Sequence, residues 1–336
     1  MLKNAVLCVI INYAIFKERG LKMNDFVIIP DSACDLTADL RERFGIEDYL
    51  QGVVYFPDGK SVPADLDWGI ISPEEYYSSM KERKILYKTA SVPVGEIQEV
   101  FEKFLKQGKD IISISLSSAL STSYNSCEIV AKELLEKYPD RKIFCIDSLR
   151  YSTSLALLTV MGCKKKEEGA TVEEVAAYLN ETRHCIHQMG PMDDLFFLVK
   201  MRRISNFKAF FGTLVGVNPM ADFNRKGMSE VLVKFKGKRA AFAATLEYME
   251  QTGIDIKDQT IFISHSNRYE AACQLKKMIE ERFAPKEIII CSVGMACGAA
   301  IGPGLCAVYY HGKPISEELA EEKEIMAKIS ENMKAK

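Results

Sequence analysis

Short apolar runs alternate along this chain with segments of helical periodicity, and this rhythm constrains its fold more than any other feature. The strand-like runs occupy residues 26–29, 50–56, 111–116, 143–146, 195–199, 231–235, 261–264 and 288–293. Between them, helix-start signals such as Ser72-Pro-Glu-Glu75 combine a capping hydroxyl with a glutamate three residues later. The alternation predicts an α/β fold with a largely parallel sheet.

The length of 336 residues is enough for two ordinary hydrophobic cores. A charged patch ending in Gly169 separates a more regular first half from a second half with a strand pair around Asn224-Arg-Lys-Gly227. We therefore expect two α/β domains, with a mostly parallel sheet in residues 24–169 and a mixed sheet in residues 170–313. Residues 314–336 are expected to form a C-terminal helical tail, with a charged amphipathic helix from Ser316 to about Lys334.

Residues 1–23 are expected to be an N-terminal extension that lies outside the first domain. Lys3 precedes an apolar run at residues 5–16 like that of a signal peptide, but the run is short for a bilayer span. No small-x-small cleavage site follows, and Met23 opens a segment that resembles a cytosolic start. The alternatives are a first helix or a membrane-proximal anchor.

Composition narrows the classes of function. The net charge of −2 gives no electrostatic reason to expect nucleic acid or an acidic membrane as partner, so any membrane contact should be transient. Ten cysteines without Cys-x-x-Cys pairs and only four histidines indicate reduced thiols in a cytoplasmic protein and argue against zinc. We expect neither a metal nor a cofactor.

Hydroxyl side chains follow the strand-like run at residues 111–116 and precede a helix-like pattern at residues 124–138. Ser121, Thr122 and Ser123 lie in this turn. A strand that enters a helix through such a turn exposes hydroxyls and unpaired N–H groups at the positive end of the helix, where phosphate or carboxylate binds. The segment lacks the glycine patterns of P-loop and dinucleotide sites. The sequence therefore predicts an anion site without a standard nucleotide.

A second pair of hydroxyls, Thr89 and Ser91, precedes Pro93 in what should be a rigid extended loop. Alone, such residues are typical helix caps. The loop is expected at the same edge of the same sheet as the hydroxyl turn, however. Thr89 and Ser121 could then converge on one anion.

Asp31 and Ser32 directly follow the first strand, where ligands of α/β sheets commonly bind. The alternative is structural: Asp31 or Ser32 caps a turn, and Asp35 caps the next helix. His265 ends another strand and is the one candidate base for a serine nucleophile, but the hydroxyl turn lacks a Gly-x-Ser-x-Gly context. We expect no catalytic residue.

Two further pairs of residues admit a site interpretation. Arg202 and Arg203 are adjacent cations that either form a solvated face or recognise phosphate or an acidic partner. Gly302 and Gly304 end a glycine-rich segment that permits close approach of the backbone to another element or to a ligand.

Six sequence blocks, in order over about residues 24–310, resemble the DegV family of bacterial lipid-binding proteins. They are Asp31-Ser-Ala-Cys-Asp-Leu36, Thr89-Ala-Ser-Val-Pro93, Leu120-Ser-Thr-Ser-Tyr124, Asp147-Ser148, Arg203-Ile-Ser205 and Gly302-Pro-Gly304. The resemblance implies two α/β domains with one long-chain fatty acid buried at their junction. It also implies a non-catalytic subunit that presents this fatty acid to a separate ATP-dependent fatty-acid kinase, whose acyl phosphate enters phospholipid synthesis.

The resemblance also implies roles for individual residues. The carboxylate is expected on Thr89 and Ser121, close to the other hydroxyls of the two blocks. We expect support around the site from Asp31, Ser32, His265, Gly302 and Gly304, and contact with the kinase at Arg202 and Arg203. The chain departs from the family pattern at Thr122, where glycine is usual, and at Ala300, where histidine is common.

Two alternatives stay open. One is an enzyme that acts on a small phosphorylated or acylated metabolite at the same hydroxyls, and turnover without a partner protein would favour it. The other is a lipid sensor or transfer module that engages no kinase.

Overall fold

The structure is a computed structural model that describes residues 25–193, 195–205 and 217–334. The predicted extension at residues 1–23 lies outside them. The strands are β1 (Phe26–Pro30), β2 (Val53–Tyr55), β3 (Ser61–Pro63), β4 (Lys88–Ala90), β5 (Asp110–Ser115), β6 (Ile143–Asp147), β7 (Ile186–Met189), β8 (Val217–Phe223), β9 (Ser229–Lys236), β10 (Thr260–His265), β11 (Glu287–Ser292) and β12 (Cys306–His311). The helices are α1 (Ala38–Arg43), α2 (Pro73–Met80), α3 (Val94–Lys106), α4 (Ser123–Lys137), α5 (Thr153–Glu167), α6 (Val172–Thr182), α7 (Phe196–Lys200), α8 (Lys238–Thr252), α9 (Tyr269–Phe283), α10 (Met295–Ile301) and α11 (Ala320–Lys334).

The first sheet is parallel, in the order β1-β5-β6. Every residue of β1 and β5 is buried, because helices cover both faces of the sheet. On one face, α3 and α4 contribute Ile97, Phe101 and Val130 to a cluster with Val27 and Ile111. The carboxyl ends of β1 and β5 meet at one edge, and the predicted ligand-binding segments follow them directly.

Helix α5 lies between the two main sheets. Ten of its fifteen residues are buried, and it contacts β1 and β5 on one side and β7, β10 and β12 on the other. One hydrophobic cluster accordingly includes Ile28 of β1, Leu158 of α5 and Phe262 of β10. The two sheets share a core through this helix, and a domain boundary at residue 169 stays a prediction.

The second sheet has the order β11-β10-β12-β7 and is mixed, as predicted. Strands β10 and β11 are parallel, whereas β12 runs antiparallel to both β10 and β7. The predicted strand pair is the antiparallel hairpin β8–β9. A small antiparallel sheet, β3-β2-β4, lies in the first half and positions Thr89 opposite Val54.

The predicted strand at residues 195–199 is wrong, because this segment forms helix α7. A five-residue apolar run does not distinguish a strand from a buried helix. Packing decides here: Phe197 and Leu198 are buried, and α7 lies against α10. The sequence interpretation also missed β7 and β12, and it made β2 too long, since only Val53–Tyr55 is strand.

The C-terminal tail ends in helix α11, close to the prediction. This helix packs on α8 and β9 and buries Met326 and Ile329. Among the described residues, none of the helices has the length and apolar character needed to cross a bilayer.

Candidate functional site

A cavity of about 420 Å³ lies at the carboxyl ends of β1 and β5. Its walls come from the loops after these strands, from β4, and from α7 and α10 of the second half of the chain. The cavity is therefore bounded by both halves of the fold, at the sheet edge where α/β proteins commonly bind ligands.

The hydroxyl cluster, defined as Thr89, Ser91, Ser121, Thr122 and Ser123, lines one side of this cavity. The Thr122 hydroxyl donates to Ser91 Oγ at 3.1 Å, which joins the two segments directly. The Ser121 and Ser123 hydroxyls lie 3.0 Å apart, and Ser123 Oγ accepts a hydrogen bond from the backbone N–H of Val92 at 3.2 Å. Two hydroxyl-rich segments about thirty residues apart thus meet at one place.

The start of helix α4 adds backbone donors to this cluster. Thr122 is the N-cap residue of this fifteen-residue helix, yet its side chain makes no capping hydrogen bond. Ser121 Oγ accepts from the N–H of Ser123 at 3.3 Å, and the first turn has no acidic residue. Hydroxyls and N–H groups at the positive end of a helix together suit an anionic oxygen.

Asp31 lines the same cavity as the hydroxyl cluster and is 1% exposed. Its carboxylate accepts hydrogen bonds from the N–H of Ala33 at 3.0 Å and of Leu116 at 2.8 Å. Burial raises the pKa of Asp31 to about 6, although these two N–H groups act in the opposite direction. Ser32 Oγ accepts from the N–H of Gly52 at 3.0 Å. Both side chains thus stabilise the loops of the cavity wall, in agreement with the turn-capping alternative.

Asp35 does not cap α1, so this part of the structural alternative is wrong. The N-cap residue of α1 is Thr37. The Asp35 carboxylate instead accepts hydrogen bonds from the hydroxyls of Ser152 and Thr153 and from the N–H of Gly294 at 2.8 Å. Burial raises the pKa of Asp35 to about 6. This carboxylate connects the first half of the chain to the segment before α10.

Arg203 lines the cavity, whereas Arg202 is exposed. Among the described residues of the cavity wall, Arg203 alone has a positively charged side chain. Burial lowers the pKa of its guanidinium, and one nitrogen donates to the carbonyl of Met201 at 3.1 Å. A partly desolvated guanidinium and a set of hydroxyls therefore line the same cavity, which suits a ligand with one negative charge.

Comparison with known proteins decides the family. A family model described as "Uncharacterised protein, DegV family" matches residues 25–313. A DegV domain-containing protein of Clostridium perfringens is 32% identical over 290 residues, which are 86% of this chain and 98% of the relative. The chain belongs to the DegV family.

Solved structures of DegV proteins have the same fold. A DegV family protein from Thermus thermophilus, described by its fatty acid binding, superposes with a TM-score of 0.76 at 22% identity, over 86% of this chain and 99% of that one. A protein from Eubacterium ventriosum, described as binding stearic acid, superposes with a TM-score of 0.75 at 22% identity, over 86% and 98%.

His265 of this DegV protein lies outside the described lining of the cavity. Its Nδ1 accepts a hydrogen bond from the N–H of Arg268 at 3.2 Å, immediately before α9. Burial lowers the pKa of this imidazole, which favours the neutral form that can accept the bond. The geometry gives His265 a structural role at the start of a helix.

Gly302 and Gly304 shape the wall of the cavity indirectly. Both have left-handed backbones, with φ of 72° and 106°. A Cβ at Gly302 would lie 2.1 Å from the Phe197 ring, and one at Gly304 would lie 2.6 Å from an Asp193 carboxylate oxygen. The glycines allow α7 to approach the segment after α10, and this approach places Leu198 in the wall.

Apolar side chains also line the cavity, and the sequence did not reveal them. Leu120, Leu198, Cys297 and Ile301 line it together with Tyr151. Apart from Leu120, which belongs to the block that ends at Tyr124, these residues come from segments in which no motif indicated a site. Leu198 was further obscured because its segment was predicted to be a strand. Among the described residues, no group of histidine, cysteine, aspartate and glutamate side chains could hold a metal ion.

Proposed function

We propose that this DegV protein binds one long-chain fatty acid, with the carboxylate on Thr89 and Ser121 and the acyl chain directed toward Tyr151, Leu198 and Ile301. The observation that carries this proposal is that one cavity is lined both by the hydroxyl cluster and by apolar side chains from α7 and α10. Solved DegV relatives described as fatty-acid-binding support the same class of ligand.

The energetics suit a carrier. Each buried methylene stabilises by about 0.8 kcal/mol, so a sixteen-carbon chain offers on the order of 10 kcal/mol before the costs of ordering. Burying a carboxylate costs several kcal/mol unless donors meet it. Hydroxyls, N–H groups at the start of α4 and the Arg203 guanidinium are available for this purpose. Binding therefore requires no activated side chain and no cofactor.

We further propose that the protein presents the bound carboxylate to a separate ATP-dependent fatty-acid kinase in the cytoplasm, and that the acyl phosphate enters phospholipid synthesis. Thr89 and Thr122 are exposed, so the carboxylate would lie near the protein surface. Arg202 is also exposed, and it is the residue we assign to kinase contact. Charge reversal at Arg202 should slow phosphorylation while leaving lipid binding unchanged.

An enzyme acting on a small metabolite is the weaker alternative. It would need a base beside the hydroxyl cluster; the described cavity wall contains no histidine, and its carboxylate, Asp31, already accepts hydrogen bonds from the N–H groups of Ala33 and Leu116. Ala300 lines the cavity where the family resemblance predicts a histidine, which favours the other alternative, a lipid transfer module without a kinase. Adding a fatty-acid kinase and ATP to the loaded protein separates these functions, because only a kinase partner would yield acyl phosphate.

Lipid extraction from the purified protein tests the binding proposal. We expect about one fatty acid per chain in the wild type and clear depletion in Ser121→Ala and Thr89→Ala, because each loses a donor to the carboxylate. Ser126→Ala is the matched control, since Ser126 lies on α4 outside the described cavity lining. Mass spectrometry of the denatured samples measures the lipid. A wild-type protein that carries no fatty acid after purification and also binds none of the fatty acid added to it would contradict the proposal.

A further inference from the structure

A second, smaller compartment adjoins the main cavity. It measures about 30 Å³ and shares Tyr151, Leu198 and Ile301 with the main cavity. A volume of this size holds about one water molecule and no run of methylenes. The side chains at the shared boundary therefore determine where the usable cavity ends.

Tyr151 is the boundary residue that is anchored by a hydrogen bond. Its hydroxyl lies 2.6 Å from Ser229 Oγ, and Ser229 Oγ also accepts from the Gln188 side-chain amide at 2.6 Å. The ring meets Phe223 edge-to-face at 5.3 Å between centroids. Rotating this ring away from the boundary would break the bond to Ser229 and the contact with Phe223, and the lost bond alone costs about 1 kcal/mol.

The backbone around Tyr151 is also held in place. Leu149 and Ser152, on either side, have non-glycine backbones with φ of 53° and 57°. Conformations of this kind persist only where the surrounding contacts enforce them. Those contacts include the hydrogen bonds from Ser152 and Thr153 to the buried Asp35 and from the Ser154 hydroxyl to the Tyr151 carbonyl.

We propose that Tyr151 sets the maximum acyl chain length, because its anchored ring separates the main cavity from the small compartment. This inference rests on the proposed function and specifies its ligand. Chains that end at the ring fit without rearrangement. Longer chains must displace the ring and enter the space between Tyr151, Ser229 and Gln188, so the wild type discriminates against them.

Competition between saturated fatty acids of graded length tests this proposal. Purified protein is loaded from an equimolar mixture, and the bound acids are measured by extraction and mass spectrometry. Tyr151→Phe removes the anchor and keeps the ring, and Ser229→Ala removes the anchor from the other side. Both should raise the ratio of longer to shorter bound acids about fivefold, the factor that corresponds to one neutral hydrogen bond. Tyr151→Ala should raise it further.

Tyr310→Phe is the matched control. Tyr310 is also buried, its hydroxyl lies 2.7 Å from Thr252 Oγ1, and it lies outside the described lining of both compartments. The ratio should be unchanged in this variant. An unchanged ratio in a folded, lipid-loaded Tyr151→Phe or Ser229→Ala protein would overturn the role of Tyr151 and leave fatty-acid binding intact. A wild-type protein that binds no fatty acid would overturn both the proposed fatty-acid binding and the proposed role of Tyr151.

Discussion

At the scale of single residues, the cavity combines hydroxyl side chains that line it with carboxylates that stabilise the loops of its wall. The hydroxyl cluster lines the cavity. The carboxylates of Asp31 and Asp35 accept hydrogen bonds from neighbouring N–H and hydroxyl groups. Both carboxyls are almost fully buried, and burial raises the pKa of each to about 6. Such groups make the stability of the fold depend on pH.

The raised pKa of Asp31 predicts that the free energy of unfolding falls as the pH rises. A carboxyl whose pKa is raised in the folded state contributes stability below its unfolded pKa, near 4, and this contribution is lost as the pH rises through about 6. The free energy of unfolding should therefore fall by up to about 3 kcal/mol per carboxyl over this interval. Asp31→Asn should flatten the fall, as measured by urea denaturation at several pH values. The exposed Asp140→Asn should retain the wild-type slope, and a wild type without any fall would contradict this account.

The parts of the site that lie in short polar segments could be predicted from the sequence, and the other parts could not. That Thr89 and Ser121 line one cavity could be predicted, because each lies in a short polar segment expected at one edge of one sheet. The positions of Arg203 and Tyr151 were not accessible, because neighbouring residues in the sequence do not determine which side chain turns toward a cavity. Asp35 was misread since its partners, Ser152 and Gly294, are distant in the sequence.

At the scale of elements, the hairpin β8–β9 connects the second sheet to the small compartment beside the cavity. Ser229 of β9 anchors Tyr151, and Asp222 of β8 accepts a hydrogen bond from Tyr248 at 2.7 Å and lies 2.6 Å from His187 Nδ1. Helix α11 covers the outer side, where Lys323 pairs with Glu230 at 2.6 Å. The tail therefore supports an element that borders the small compartment.

The tail helix should contribute to stability through its buried face. Met326 is 0% exposed and belongs to the cluster of the second sheet and α8. Met326→Ala should lower the free energy of unfolding by about 3 kcal/mol, through lost transfer energy and a cavity. Lys328→Ala, on the exposed side of the same helix, should change it by less than about 0.5 kcal/mol. Chemical denaturation measures both, and equal effects would show that α11 is not docked as described.

Helices and strands could be told apart where the hydrophobic periodicity extended over a long segment. In short apolar runs they could not. The alternation of runs predicted the parallel sheet of the first half, and the strand pair around Asn224 predicted a mixed sheet in the second half. The short run in α7 has the apolar character of a strand, but it forms a helix that packs against α10. Strand β12, which follows the glycine-rich segment, was not among the predicted strands.

At the scale of the whole molecule, two sheets share one buried helix and enclose a cavity between the halves of the chain. Helix α5 contacts both sheets, and the Asp35 carboxylate bonds to the start of α5 and to Gly294 before α10. The cavity therefore has walls held by the main core and not by surface loops alone. This construction suits a protein that must hold an apolar ligand while leaving one end of it near the surface.

A crystal structure of the protein grown with a saturated long-chain fatty acid would test the central claim most directly. The account predicts the carboxylate within hydrogen-bond distance of the hydroxyls of Thr89 and Ser121, and the last carbon against the ring of Tyr151. An acyl chain bound outside this cavity, or bound with its carboxylate toward Tyr151, would contradict it.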